Sequence, residues 1–476
     1  MLFNSFEFAI FLPIVWILYW ALPHKCRWVL LLAASYYFYM SWNVKYVVLI
    51  LFTTLVSYVA AILLEKAPSD AVKRRILALS CTLCLIVLFF FKYFNFATES
   101  FCALLGLFSI RLHPFTLSLL LPVGISFYTF QTLSYVIDVY RGKIRAERHL
   151  GYYATFVSFF PQLVAGPIER TDSLLPQIRA EHTFDYDQVT YGLKQIAWGF
   201  FKKLCIADVI ASYVDAVYAN PGTNAGFPML FALFAFTIQI YCDFSGYSDI
   251  AIGTANLMGI RLMTNFKSPY FSTSIREFWQ RWHISLSTWF RDYVYIPLGG
   301  NRCGKIRQSL NLLITFLVSG LWHGANWTFV IWGGIHGVAQ IIENRIFPDQ
   351  KTRKDHKAVK ALRWALVFLF CNLAWVFFRA DTFSDAVYVL THLFTGIGAG
   401  KQYLNNSVGL DFFHMGKIGF CLLLLAAYDF ASLKTDVIAS IGRRPLIVRW
   451  GIYLAFAMVL FLFAQVGNHS FIYFQF

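Results

Sequence analysis

The sequence predicts an all-α membrane protein with many spans, and three observations predict it. Of 476 residues, 58% are hydrophobic, 19% aromatic and only 14% charged, whereas a soluble domain carries about 25% charged residues. Mean hydropathy is +0.57, and no single water-soluble core could hide that much apolar surface. The apolar residues also fall in runs close to the roughly 20 residues a helix needs to cross the hydrocarbon. Finally, short basic clusters separate the runs: His24-Lys25-Cys26-Arg27, Lys73-Arg74-Arg75, Arg141 to Arg148, Lys351 to Lys360, and Arg443-Arg444. Lys and Arg collect in cytoplasmic loops, so the net charge of +15 is a topology signal and does not call for nucleic acid. Attraction to anionic membrane lipids is its secondary consequence. The 50 Phe and 26 Tyr suit lipid-facing surfaces and interfacial belts.

Taken in order, the candidate spans are 6–22, 28–42, 45–64, 76–92, 116–139, 190–218 in part, 226–243, 308–322, 325–342, 361–378, 414–432 and 448–466. The first lacks a basic leader and a small-residue cleavage site, so it reads as a retained helix. Segments 93–110 and 148–166 mix Asn, Glu, Gly and Pro with aromatics and read as re-entrant or interfacial. Phe160 to Arg170, with two prolines and a glycine, reads as a re-entrant turn near the cytoplasmic surface. Irregular backbone at membrane depth survives only when protein buries it or it lines a wet cavity, so an internal funnel or tunnel is expected. No internal repeat, low-complexity linker or soluble domain stands out. The longest polar connection is 263–307.

One joint between spans carries chemistry. Trp322-His323-Gly324-Ala325-Asn326-Trp327 lies where the run 309–321 meets the run 328–342. The basic stretch 301–307 places the start of the first run in the cytoplasm, so His323 belongs in the outer half. The run before it has about 14 residues, roughly 21 Å of helix, less than the full core. His323 is therefore expected within the membrane's depth, where a titratable side chain is costly and marks function. Imidazole is also the side chain best suited to moving protons near neutral pH.

A second histidine follows from the segment Arg276 to Tyr293. On a 3.6-residue period Trp279, Trp282, His283, Leu286, Trp289, Phe290 and Tyr293 share one face, opposite Glu277, Gln280, Arg281, Thr288, Arg291 and Asp292. That predicts one amphipathic helix, with His283 either packed into its apolar face or paired in function with His323. His336 is expected to hydrogen-bond a neighbouring helix, because on one helix it would lie about 20 Å from His323 on a different face. Asp243 and Asp249, in Tyr241 to Asp249, would end a span. They could orient a histidine, bind a substrate hydroxyl, or simply cap the helix.

Other chemistries lack their signatures. The nine cysteines are scattered, and Cys81-Thr-Leu-Cys84 sits inside a spanning run, where thiols act as small apolar residues. No disulfide framework is implied. Metal-ligand spacing, nucleotide-binding glycine loops and the GxSxG elbow do not appear.

In these motifs the chain resembles the membrane-bound O-acyltransferase family, in its bacterial, alginate-acetylating branch. The resemblance runs from Met1-Leu-Phe-Asn-Ser5 through Phe159 to Ile168, Asp243 to Asp249, Glu277 to Ser287, Tyr295 to Arg302 and Trp322 to Trp327, ending at Phe377-Phe-Arg379. It implies a helical ring with re-entrant and interfacial helices around a central tunnel, in one integral membrane domain over 1–476. N-terminal helices would occupy 1–140, a catalytic core 141–380 and C-terminal helices 381–476. It implies that His323 is catalytic, as general base or brief acyl carrier, and that His283 orients the donor or the reacting carbonyl. Asp243, Trp279, Arg281, Trp282, Arg291 and Asn326 are the candidate substrate-binding residues. Phosphates of an acyl thioester donor, acetyl-CoA, would suit Arg281, Arg291 or Arg302; no tightly bound cofactor or metal is expected. The implied setting is the inner membrane of a bacterium, with an extracytoplasmic acyltransferase partner of the SGNH type and a polysaccharide or peptidoglycan acceptor. Two alternatives stand beside this reading. One is D-alanyl transfer to teichoic acid from a carrier protein, against which the outer stretch Asp381 to Phe413 weighs. The other is a transporter or flippase, which broken helices would also suit.

Overall fold

Short polar side chains open many of the helices, because the first turn leaves N–H groups without partners. The computed structural model describes residues 1–164, 166–347, 356–396, 412–465 and 471–472. Among them every regular element is helical. Ala165 of the Phe160 to Arg170 turn, 348–355 of the basic loop, 397–411 of the outer stretch and 473–476 of the C-terminal run lie outside the described residues.

The chain begins with α1 (Phe6–Ala21), α2 (His24–Met40), α3 (Val47–Lys66) and α4 (Asp70–Leu88). Ser5 and Ser69 cap α1 and α4 by accepting from Phe8 N–H and Val72 N–H. A π-helical turn, Phe89–Tyr93, joins α4 to α5 (Phe94–Gly106). Asp70–Gly106 is thus one helical stretch of 37 residues. Segment 93–110, expected to be re-entrant or interfacial, instead mostly prolongs a span. Its Asn95 is absorbed by the extended chain that follows, donating to Leu117 O (3.0 Å) and accepting from Leu117 N–H (2.8 Å). The expected span 116–139 correspondingly starts late, at α6 (Ile125–Tyr140), after Pro122 and Gly124, whose φ of +74° suits glycine.

Segment 148–166, read as re-entrant or interfacial, is broken into α7 (Leu150–Ser158) and α8 (Phe160–Leu163). The Phe160 N–H at the break is taken by Ser35 Oγ at 3.0 Å. Then come α9 (Thr171–Arg179), α10 (Tyr186–Phe200), a π-helical segment Phe201–Ala207, α11 (Asp208–Ala219) and α12 (Phe227–Leu257). At 31 residues, α12 overruns its expected end at 243. The motif Tyr241 to Asp249 lies inside the helix and does not end it, for an electrostatic reason given below.

The polar connection holds α13 (Ile275–Arg281), α14 (Ile284–Phe290) and a π-helical turn Arg291–Tyr295. After it come α15 (Lys305–His323), α16 (Trp327–Ile346), α17 (Lys357–Arg379), α18 (Phe383–His392), α19 (Phe412–Ser432), α20 (Val437–Gly442) and α21 (Leu446–Phe463). Among the described residues, six stretches are long and apolar enough to cross a membrane: Val44–Lys66, Asp70–Gly106, Phe227–Leu257, Lys357–Arg379, Met415–Ser432 and Leu446–Phe463. The protein is an all-α, multi-pass membrane protein.

Two compact units form. One comprises Met1–Leu193 with Ala251–Met263; the other comprises Lys194–Ile250 with Thr264–Phe476. In the first, Tyr153 OH donates to Ser57 Oγ (2.6 Å) between α7 and α3, and Trp16 and Trp20 of α1 both donate to Leu257 O. In the second, Thr237 of α12 donates to Asn372 of α17 at 2.8 Å. Both candidate histidines belong to this second unit.

Candidate active site

His323 is the last residue of α15, and its position follows from how α15 meets α16. Gly320 and Gly333 face each other. A Cβ on Gly320 would overlap the Phe329 carbonyl and lie 3.3 Å from Gly333 Cα; one on Gly333 would overlap the Phe316 carbonyl. Small residues at such points let two helices approach closely. Gly324 then takes an extended conformation, and Asn326 caps α16 by accepting from Thr328 N–H at 3.0 Å. The chain therefore reverses within three residues of His323.

His323 is 2% exposed and His283 0%. Their ring centroids lie 6.4 Å apart, with planes inclined at 62°. That is too far for one ring to hydrogen-bond the other, and it leaves room for an oxygen atom between them. The walls are aromatic. Trp322, Trp332 and Phe378 stand edge-on to His323 at 5.0, 5.1 and 5.4 Å. Phe244 stands edge-on to His283 at 4.6 Å, and Phe266 stacks on it at 6.3 Å.

The single amphipathic helix expected over 276–293 is in fact two short ones, broken at Trp282 and His283. His283 takes a left-handed conformation, φ +43°, which costs a non-glycine residue about 1–2 kcal/mol. Backbone pairing with the preceding strand-like stretch offsets that cost: Lys267 N–H donates to Arg281 O and Ile284 N–H to Asn265 O, both at 2.9 Å. The period-3.6 pattern still reports burial, since Trp279, Trp282, Leu286, Trp289 and Phe290 are all buried. His283 lies outside the spanning helices, and burial pushes its pKa down to about 3, so its imidazole is neutral at physiological pH.

Two buried imidazoles thus lie close together among aromatic side chains. Residues 144–380 match the family model of MBOAT, the membrane-bound O-acyltransferase family. Over the full length of both chains the protein is 39% identical to the probable alginate O-acetylase of Pseudomonas putida. It is 43% identical to that of Azotobacter vinelandii, over 81% of this chain and 76% of the relative. To the peptidoglycan O-acetyltransferase of Helicobacter pylori it is 37% identical, over 82% of this chain and 79% of the relative. This chain belongs to the membrane-bound O-acyltransferase family.

Around the histidine pair, the acyltransferase places the other candidate residues in distinct settings. Trp279 is buried against Trp332 and Phe316, and its Nε1–H donates to His336 Nδ1 at 3.3 Å. His336 thus bonds a neighbouring helix, as expected. It sits on a different helix from His323, and Trp332 contacts both rings, at 5.0 and 5.1 Å. Trp282 stacks on Phe278 and meets Trp375 at 5.0 Å. Arg281 pairs with Glu277 one turn away (2.7 Å), and Arg291 with its neighbour Asp292 (2.8 Å). Asn326 is occupied as a helix cap and donates to Asp381 O at 2.8 Å.

Asp243 holds a network that sequence reasoning missed. Lys203 Nζ lies 2.7 Å from Asp243 Oδ1 and 2.8 Å from Asp208 Oδ1, with all three side chains nearly fully buried. Lys202 pairs with Asp249 and donates to Ser245 Oγ at 2.9 Å. Because each carboxylate on α12 has a lysine, the helix can run straight through them. Asp243 Oδ2 also accepts from Ile472 N–H at 2.7 Å, and Tyr241 OH donates to Asp429 Oδ2 at 2.7 Å. Both lysines ride on the π-helical segment, a feature frequent at functional sites. The available signal was Lys202-Lys203 inside the apolar run 197–206. Asn265, which contacts His283, had no local signal.

A cavity of about 430 Å³ reaches Ile284, the residue after His283, and Ser319 of α15, but neither histidine lines it. Arg276, Arg291 and Tyr295 line it together with Leu286, Phe290, Phe316 and Ser319. Ser319 precedes His323 by four residues, so it lies one turn away on the same face of α15.

Proposed function

We propose that this acyltransferase takes an acetyl group from a cytoplasmic thioester, acetyl-CoA, and moves it across the inner membrane of a bacterium. The group would serve O-acetylation of an extracytoplasmic polysaccharide or peptidoglycan, by way of an extracytoplasmic SGNH-type acyltransferase. The single observation that carries this reading is the pair His283–His323, buried together 6.4 Å apart, with a cavity lined by Arg276, Arg291 and apolar side chains reaching their chain neighbours Ile284 and Ser319. The cavity suits a donor with an anionic end and a narrow apolar arm: Arg276 and Arg291 meet phosphate well, and Phe290 and Phe316 flank the arm. The relatives' own names, alginate O-acetylase and peptidoglycan O-acetyltransferase, support an acetyl group and a glycan acceptor.

His323 acts as base on the attacking hydroxyl, or holds the acyl group briefly on its ring. In the direct route the hydroxyl proton passes to the imidazole as its oxygen bonds to the acyl carbon. The C–S bond breaks, and the departing thiolate recovers the proton. His283 assists from across the chamber. Excluding water strengthens each of these electrostatic contacts.

The test is His323→Ala. Consumption of radiolabelled acetyl-CoA by the purified protein in nanodiscs should fall by about 10²-fold or more, the scale of a lost general base, while the variant still inserts and elutes as a monodisperse peak. Acetyl esters on the surface glycan, read by mass spectrometry, should disappear. Unchanged glycan acetylation in His323→Ala cells would remove His323 from the mechanism. His283→Ala should lower turnover strongly but less completely; wild-type turnover would return His283 to packing.

A further inference from the structure

Asn265 decides the protonation geometry of His283. It belongs to no helix, is fully buried, and bonds to His283 and to both residues that follow it. Its carbonyl oxygen accepts from Ile284 N–H at 2.9 Å. Its side-chain oxygen accepts from Ser285 N–H at 3.3 Å and from Ser285 Oγ–H at 2.9 Å, and lies 3.1 Å from His283 Nδ1. Its Nδ2 donates to Ser248 Oγ on α12 at 3.2 Å.

These partners fix the amide's orientation. A main-chain N–H can only donate, so the atom facing Ser285 N is the amide oxygen. That oxygen can only accept, so Nδ1 of His283 carries the proton and Nε2 holds the lone pair. The opposite tautomer would set two lone pairs against each other at 3.1 Å, with only a 3.5 Å approach of Ser285 Oγ to Nδ1 in exchange. Burial, which disfavours the imidazolium, leaves this one neutral tautomer.

We propose that Asn265 is the positioning residue of the acyltransferase: it locks His283 as the Nδ1–H tautomer, so that Nε2 accepts a proton or hydrogen bond during acyl transfer. His283 is thereby a second acceptor, its ring 6.4 Å from that of His323. It is not the donor that would polarise the thioester carbonyl. Ser248 supports the device from α12, and the Ile284 and Ser285 contacts hold the left-handed turn in place. The proposal rests on the reading above that His283 takes part in the transfer.

The experiment uses the full chain in nanodiscs with radiolabelled acetyl-CoA. Asn265→Leu keeps the size and removes the acceptor. Its kcat should fall by about 10²-fold with KM for acetyl-CoA changed less than about threefold, as for a lost proton-transfer function. Asn265→Asp keeps an acceptor oxygen and should recover to within about tenfold of wild type. Its carboxylate beside Nδ1–H should also move the acid limb of the pH–rate profile to higher pH, because a negative neighbour favours the imidazolium. His323 on α15 is a titratable group that faces His283; it is common to both proteins, so the shift is read as the difference between the Asn265→Asp and wild-type profiles. In a His283→Ala background Asn265→Leu should add little, because coupled residues are not additive. Equal loss in both backgrounds, or wild-type kcat for Asn265→Leu, overturns the proposal. Should Asn265→Leu fail to fold, the Asn265→Asp profile decides: an unmoved acid limb overturns it. If His283→Ala alone turns over like wild type, the functional reading falls first. An inactive His283→Ala beside an active Asn265→Leu sinks only this inference.

Discussion

Buried charge is the most consequential choice this chain makes at single residues. Lys203 sits between Asp208 and Asp243 at 2.7–2.8 Å, and its ammonium compensates two carboxylates that water does not reach. Replacing one partner of such a group leaves the other uncompensated, at a cost of about 3–5 kcal/mol. Lys203→Met should therefore lower the apparent melting temperature sharply in detergent. The triple variant Lys203→Met, Asp208→Asn, Asp243→Asn should recover much of the loss, because neutral amides need no cation. A Lys203→Met protein as stable as wild type would mean that the carboxylates are already protonated. These residues also show where sequence reading stops. His323 stood out as a candidate because a histidine between two apolar runs has few structural excuses. Lys202 and Lys203 were hidden because Asp249 and Asp243, which they pair with on α12, stand about forty positions away. Asn265 was hidden because an isolated asparagine in a polar connection looks like any turn residue, and only its hydrogen bonds to His283 and Ser285 reveal it.

Helices α15 and α16 carry the site at the next scale, and their boundaries were readable. The expected runs 308–322 and 325–342 became Lys305–His323 and Trp327–Ile346. What the pattern could not give was the break between α13 and α14. Periodicity reports which face is buried, and it did so for every predicted residue except Tyr293, which is half-buried. Whether the backbone turns left-handed at His283 depends on pairing with residues 265–267, which periodicity does not encode. The hairpin's closeness rests on Gly320 and Gly333, and this makes a local contrast. Gly333→Ala should overpack the helix contact and cost about 1–3 kcal/mol; it should also lower acyl transfer by shifting His323. Gly334→Ala should be tolerated, because its Cβ would meet only Leu317 Cδ2, at 3.4 Å. Melting temperature and acetyl-CoA turnover of the two variants check this. Equal behaviour would mean that the hairpin, and with it the placing of His323, does not depend on that contact.

For the molecule as a whole, composition settled the class and basic clusters settled the expected sidedness. The division into two compact units was not readable, because each unit draws on residues far apart in the chain and α10 and α12 each contribute to both. Sidedness gives the decisive test at this scale, since a thioester donor is made in the cytosol. If Lys and Arg stay inside, the start of α15 faces the cytoplasm and the start of α16 faces out. Lys305 and Trp327 are both exposed, which makes them suitable labelling positions. Of the nine cysteines, Cys26 is exposed and the others are half-buried or buried, so a Cys26→Ser background is needed. In intact cells a membrane-impermeant maleimide should label Trp327→Cys and leave Lys305→Cys unmodified until the membrane is permeabilised. The reverse pattern would put the arginine-lined mouth of the cavity, at Arg276 and Arg291, on the side where acetyl-CoA is absent. The proposed direction of transfer would then have to be abandoned, even with both histidines in place.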